Sequence, residues 1–159
     1  MPHPIGQALH QASAKLRTLP DGWLVLLARL GLGGFFWRAG RTKVDADFEL
    51  TAGAKYLFEQ EYNVPLLDPI VAAWMAAGAE HLFAVMLVIG LGTRLSALGL
   101  LGMTAVIQIF VYPGSWPDHL LWTAALLLIL ARGPGVLALD RVLCGKLSHC
   151  KHKNQPEAM

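Results

Sequence analysis

The chain has 159 residues, of which 55% are hydrophobic and only 15% are charged, and its mean hydropathy is +0.47. A soluble domain of this size needs more polar surface to cover itself, so the composition indicates an integral membrane protein. The formal net charge of +2 and the scattered basic residues argue against nucleic acid as a partner.

Residues 1–22 predict an amphipathic helix that lies in the membrane interface. Apolar residues recur there at helical spacing, with Lys15 and Arg17 between them, and Pro20 ends the pattern. No small-residue cleavage site precedes Trp23, so we do not expect a cleavable signal peptide. A disordered tail is the alternative interpretation.

Four apolar stretches follow, and a helix needs roughly 20 residues to span a bilayer. The fourth stretch is shorter than this, so we expect it to include part of the loop before it. The tight turn Gly90-Leu-Gly-Thr-Arg94 and the turn at residues 112–118 make consecutive helices antiparallel. The connection at residues 41–65 is long enough for one or two short surface helices. We therefore predict an all-α fold, a bundle of four antiparallel transmembrane helices, at about Trp23–Gly40, Pro69–Gly90, Leu95–Val111 and Pro117–Ala131.

The distribution of Lys and Arg predicts the orientation of these spans in the membrane. Eight of these residues lie on the side of the two termini and four on the opposite side, so the positive-inside rule places both termini in the cytoplasm. The eight are Lys15, Arg17, Arg94, Arg132, Arg141, Lys146, Lys151 and Lys153, and the four are Arg38, Arg41, Lys43 and Lys55.

Arg29 and Glu80 stand out because each lies well inside a predicted span. Charged groups are costly in a membrane and usually find partners there. By residue counting, Arg29 and Glu80 differ in depth by roughly 5–6 Å, which an arginine side chain can bridge. We expect an intramembrane ion pair between them, either as a structural contact or as a polar site for a proton, a quinone headgroup or a small ligand.

Aromatic and titratable residues concentrate at the outer end of the predicted bundle. Aromatic walls, a histidine and a carboxylate near a membrane interface suit a quinone or another small ligand. The alternative is an interfacial aromatic belt with an aspartate that caps the fourth helix. The residues of this predicted pocket are Tyr112, Trp116, Asp118, His119 and Trp122, with Arg41 and Lys43 at the same level.

The C-terminal tail contains four residues that can bind metals, Cys144, His149, Cys150 and His152. Their spacing matches no familiar zinc pattern, so a weak metal site and an ordinary basic cytoplasmic tail both remain open. No phosphate loop, nucleophile motif or metalloprotease motif is present in the sequence. Catalytic residues are therefore unknown, and whether the chain is an enzyme is left open.

Three regions resemble the DoxX family of bacterial membrane proteins. They are Leu27-Ala-Arg29-Leu-Gly-Leu-Gly-Gly34 followed by Gly40 and Lys43, then the region of Glu80 with Gly90-Leu-Gly-Thr-Arg94-Leu, then Arg132-Gly-Pro-Gly-Val-Leu-Ala-Leu-Asp140-Arg141. The resemblance extends over about residues 23–143, which implies a four-helix membrane domain between the N-terminal segment 1–22 and a basic tail at 144–159. Some relatives in this family are linked to thiol redox chemistry or serve as the quinone-facing subunit of a thiosulfate:quinone oxidoreductase, and others accompany metal-stress peptides.

The resemblance implies two functional hypotheses. The first is a membrane subunit of redox metabolism that binds a quinone as its cofactor and works with a protein partner or as a homo-oligomer. The second is a non-enzymatic membrane scaffold or transport helper in a metal or oxidative stress pathway. Both place the chain in membrane lipid.

Overall fold

A computed structural model describes residues 20–62 and 64–144, and within these ranges the chain is helical, with no strand. An isolated β-bridge between Val44 and Leu50 closes the loop after the first helix. The long helices are α1 (Asp21–Lys43), α3 (Pro69–Ile89), α4 (Thr93–Val106) and α5 (Trp116–Arg132). The short helix α2 is Ala52–Tyr56, and it continues as a π-helical turn, Leu57–Glu61. A second π-helical turn, Ile107–Val111, extends α4. A 3₁₀ turn, Pro113–Ser115, precedes α5.

Local chemistry explains where α3 begins and ends. Asp68 Oδ1 accepts hydrogen bonds from the backbone N–H groups of Ile70 at 2.9 Å and Val71 at 3.2 Å, and Pro69 occupies the first helical position. At the other end Gly90 adopts a left-handed conformation with φ +73°, which a residue with a side chain rarely adopts. The helix bounds thus match the predicted second span.

The four long helices contact one another in a ring. Helix α1 packs against α3 and α5, and α4 packs against α3 and α5. The turns at 90–92 and 112–115 are too short for anything but antiparallel neighbours. Buried apolar side chains from all four helices fill the interior: Val25, Leu32, Phe36, Ala84, Leu87, Ala97, Leu100, Leu126 and Ile129.

Two of the long helices meet the length and apolar character of a membrane span. These are Pro69–Ile89 and the continuous stretch Thr93–Val111. No more than a third of the residues in either apolar window are buried inside the protein, which differs from the core helix of a soluble domain. The other two predicted spans fall short on these measures: α1 carries four basic residues, and α5 has 17 residues.

Candidate functional site

The ends of the bundle differ, and we name them by what they hold. The turn end contains the start of α1, the 90–92 turn and residues 133–138. The cavity end contains residues 44–62 and 64–68 and the 112–115 turn. The predicted site residues distribute between these two ends.

At the turn end Arg29 is fully buried and surrounded by backbone carbonyls. Its Nε donates to Leu87 O at 2.7 Å and its Nη2 to Val88 O at 2.9 Å. Its Nη1 donates to Pro134 O at 2.7 Å and Val136 O at 3.1 Å. Leu87 and Val88 lie in the last turn of α3, where carbonyls have no partner within the helix. Arg29 therefore caps α3 and fixes the segment that follows α5.

Asp140 completes this arrangement by capping α4. Its carboxylate accepts from the backbone N–H groups of Gly92 at 2.7 Å and Thr93 at 2.9 Å, and its own N–H donates to Gly90 O at 2.9 Å. Partial burial raises the pKa of Asp140, but these N–H donors and the nearby Arg29 guanidinium outweigh it and hold the pKa below its usual value. The turn end is thus fixed by charged side chains that bind backbone groups.

The predicted Arg29–Glu80 ion pair does not form. Glu80 Oε1 instead accepts from Lys43 Nζ at 2.8 Å. Helix α1 continues as far as Lys43, past the predicted end at Gly40, and this brings the lysine to the level of Glu80. The lysine side chain is 18% exposed and the glutamate side chain 3%, so the pair links the interior to the cavity-end surface.

A cavity of about 230 Å³ lies beside this ion pair. It is formed by α1, α3, α4, α5 and both π-helical turns. Its walls are mostly aromatic and aliphatic, with several polar groups among them, as in small-molecule sites generally. The lining residues are Phe35, Phe36, Ala39, Lys43, Phe58, Tyr62, Glu80, Met103, Ile107, Val111, Tyr112, Ser115, Asp118, His119 and Trp122.

Both π-helical turns end on tyrosines that line the cavity. The N–H of Tyr62 donates to Leu57 O at 2.9 Å, and the N–H of Tyr112 donates to Ile107 O at 2.8 Å. The two hydroxyl oxygens are 2.9 Å apart and share a hydrogen bond. Burial, followed by this hydrogen bond, raises the pKa of Tyr62. Helical turns of this kind are uncommon and often occur at functional sites.

A chain of hydrogen bonds fixes the ring of His119, which is buried in the cavity wall. Gln108 Nε2 donates to Pro113 O at 2.9 Å, and Gln108 Oε1 lies 2.6 Å from His119 Nδ1. The ring also contacts Trp122, with 4.9 Å between ring centroids. Among the described residues, Nδ1 of His119 therefore has a hydrogen-bond partner and Nε2 has none.

Most of the predicted outer pocket comes together in this cavity. Tyr112, Asp118, His119 and Trp122 line it with Lys43. Trp116 lies outside it and lines an adjoining groove between α4 and α5, which His119 also borders.

Arg41 lines neither the cavity nor this groove; it is exposed near the end of α1. Sequence reasoning recognised Glu80 as an ionisable residue in a span but assigned it to the wrong partner. It missed Tyr62, Phe35, Phe36 and Phe58, for which aromatic character was the only indication of a place in the cavity wall.

The predicted tail site stays a prediction. Cys144 is exposed at the end of the described chain, and His149, Cys150 and His152 lie outside the described residues, as does most of the predicted N-terminal helix. Within residues 20–62 and 64–144 no group of three or more His, Cys, Asp or Glu side chains is placed to hold a metal ion.

Comparison with known proteins identifies the family. The DoxX family model matches residues 24–113, more than half of the chain. The searches of curated proteins and of solved structures gave no significant match. The chain therefore belongs to the DoxX family and, with its long apolar helices, is a membrane protein.

Proposed function

We propose that this chain is a four-span protein of the bacterial cytoplasmic membrane that takes part in redox metabolism and binds a quinone headgroup in its cavity. The observation that carries the proposal is the cavity itself. It combines aromatic walls with an ion pair, a buried histidine and a tyrosine pair, all at one end of a membrane bundle.

Length and composition alone support two transmembrane helices. The exposed apolar side chains support four. Leu27 on α1 is 66% exposed and Leu121 on α5 is 70% exposed. Many other large apolar side chains on all four long helices point away from the core. Such a surface is too extensive for a soluble monomer and suits contact with lipid.

The orientation has a direct test. With both termini in the cytoplasm, the cavity faces the periplasm. A reporter that is active only in the periplasm, fused after Met159, should be silent, and the same reporter inserted after Asp47, in the loop at the cavity end, should be active. The reverse pattern would overturn the orientation.

The cavity chemistry suits a flat ring with polar substituents. Phe35, Phe36 and Trp122 provide aromatic surfaces, and Trp122 lies 4.3 Å from Phe35 between ring centroids. The imidazole of His119 provides a polar group in the cavity wall. The volume is below the roughly 300–1,000 Å³ typical of pockets that enclose a whole ligand. A headgroup fits inside while an apolar tail extends along the bundle into lipid.

The proposal is tested by titrating the detergent-solubilised protein with a fluorescent quinone analogue. We expect saturable binding that His119→Ala and Asp118→Asn weaken while the melting curve keeps its shape. Glu59→Gln is the matched control, because Glu59 is an exposed carboxylate outside the cavity. Unchanged binding in both cavity variants would contradict the proposal, and no binding by the unaltered protein would favour the scaffold or transport role.

A further inference from the structure

The direction of the hydrogen bonds around His119 can be assigned from the protein alone. Pro113 O can only accept, so the group that faces it at 2.9 Å must be the amide nitrogen of Gln108. The amide oxygen then faces His119 Nδ1 at 2.6 Å, so Nδ1 carries the proton and donates. In the neutral ring Nε2 consequently has a lone pair and accepts.

Glu80 presents a second acceptor. Its Oε1 is held by Lys43, and in this ion pair Glu80 is a carboxylate that can only accept. Its Oε2 is buried and has no hydrogen-bond partner among the described residues. A buried polar atom without a partner is uncommon in a native protein and calls for an explanation. Glu80 lines the cavity, so a ligand there is a natural partner.

The donors at the cavity are partly engaged. Lys43 Nζ binds Glu80 and lies 3.4 Å from Ala39 O, which leaves one ammonium N–H. One hydroxyl proton of the tyrosine pair is used in the bond between Tyr62 and Tyr112, at the exposed rim, and the other stays available. The remaining donors, with the Ser115 hydroxyl, lie on residues that are more exposed than Glu80 and His119. The free polar atoms of the two buried residues are therefore acceptors.

We infer that the cavity selects the reduced, hydroxyl-bearing ring, a quinol, over the oxidised quinone. This inference rests on the proposed function and adds the oxidation state of the ligand. The hydroxyls of a quinol donate hydrogen bonds, which His119 Nε2 and Glu80 Oε2 accept. The carbonyls of a quinone can only accept hydrogen bonds. Next to a quinone, His119 Nε2 and Glu80 Oε2 would therefore each face another acceptor with no proton to share, and such a contact is unfavourable.

Three ligands with the same ring and the same short apolar tail separate the possibilities: the quinol, the quinone and the dimethyl ether of the quinol. Each is titrated calorimetrically into the solubilised protein without oxygen. We expect the quinol to bind roughly tenfold tighter than the other two, because hydrogen bonds to charged acceptors are among the stronger ones. Equal or tighter binding of the quinone would overturn the inference and leave the proposed function standing. No binding of any ligand would contradict both.

A substitution assigns the preference to Glu80. Glu80→Gln can present an N–H donor in place of Oε2, so it should weaken quinol binding, strengthen quinone binding and reduce the quinol-to-quinone affinity ratio roughly tenfold. Glu59→Gln should leave the ratio unchanged. A ratio unaltered in Glu80→Gln would overturn the assigned role of Glu80, and the three-ligand comparison tests the preference even if that variant folds poorly.

Discussion

The turn end and the cavity end of this bundle use buried charge in opposite ways. At the turn end the Arg29 guanidinium and the Asp140 carboxylate bind backbone groups, so each charge closes a helix terminus. At the cavity end Glu80 has one oxygen on Lys43 and one with no partner among the described residues. The difference indicates that a buried charge whose hydrogen-bonding capacity is fully used stabilises the fold, whereas one with an unpartnered atom has capacity left to bind a ligand.

The largest expected effect is at the turn end. Arg29→Met should lower the free energy of unfolding by at least about 3 kcal/mol, because several buried carbonyls lose their donor at a cost of about 1–3 kcal/mol each. Arg38→Met is the control, since Arg38 is exposed on the same helix. Thermal melting in detergent measures the difference in stability between the two variants. Equal melting temperatures would contradict the structural role that the comparison assigns to Arg29.

At the cavity end Lys43→Met should destabilise the fold by roughly 2 kcal/mol, because it leaves the Glu80 carboxylate buried without its counter-ion. Adding Glu80→Gln to that variant removes the orphaned charge and should recover much of the loss. A double-mutant cycle on melting curves measures this coupling. Additive effects would show that the two side chains do not interact as the 2.8 Å contact indicates.

A smaller effect is expected for Asp140→Asn, about 1 kcal/mol, as for the loss of a helix cap. The pKa of Asp140 is lower in the folded state than its ordinary value of 3.8. Its contribution to stability is therefore complete above that value and is lost as the pH falls through the lower folded pKa.

Melting at neutral pH and below pH ~4 should consequently show a difference between the unaltered protein and Asp140→Asn that shrinks in acid. Asp47→Asn, at an exposed position in the loop after α1, is the control. A difference that grows in acid would contradict the assigned role.

The smallest effect concerns the tyrosine pair. Tyr112→Phe removes one exposed hydrogen bond and should change stability by less than about 1 kcal/mol. It should also lower the pKa of Tyr62, which would still lie above its usual value because burial, the larger cause, remains. Ultraviolet titration of tyrosinate compares this variant with the unaltered protein, and a pKa that does not move would show that the hydroxyls do not bond.

Helix positions were readily predictable from the sequence because apolar length and turn chemistry are local properties. The bounds of α3 and α4 depend on Asp68, Pro69 and the Gly90 turn, all visible in the sequence. Even the surface helix in the long connection was expected, and α2 with its π-helical turn occupies that place.

Partner choice was not predictable in the same way. Counting residues along a helix gives the depth of a charged residue in the membrane but not the direction in which its side chain points around the helix axis. Arg29 and Glu80 have similar depths, so an ion pair between them was predicted. Two of the carbonyls that bind Arg29 belong to residues 134 and 136, an apolar stretch with no side-chain signal for such contacts. The pocket residues of α5 were easier, because Asp118, His119 and Trp122 lie within two turns of one helix.

The π-helical turns determine how the cavity rim responds to changes in chain length. A π-helical turn contains about one residue more than an α-helical turn. Deleting a single residue between Ile107 and Val111 would therefore convert this turn into an α-helical one and leave Tyr112 on nearly the same side of the helix, facing Tyr62. Relatives that lack one residue here would then keep the tyrosine contact, with a regular helix in place of the π-helical turn.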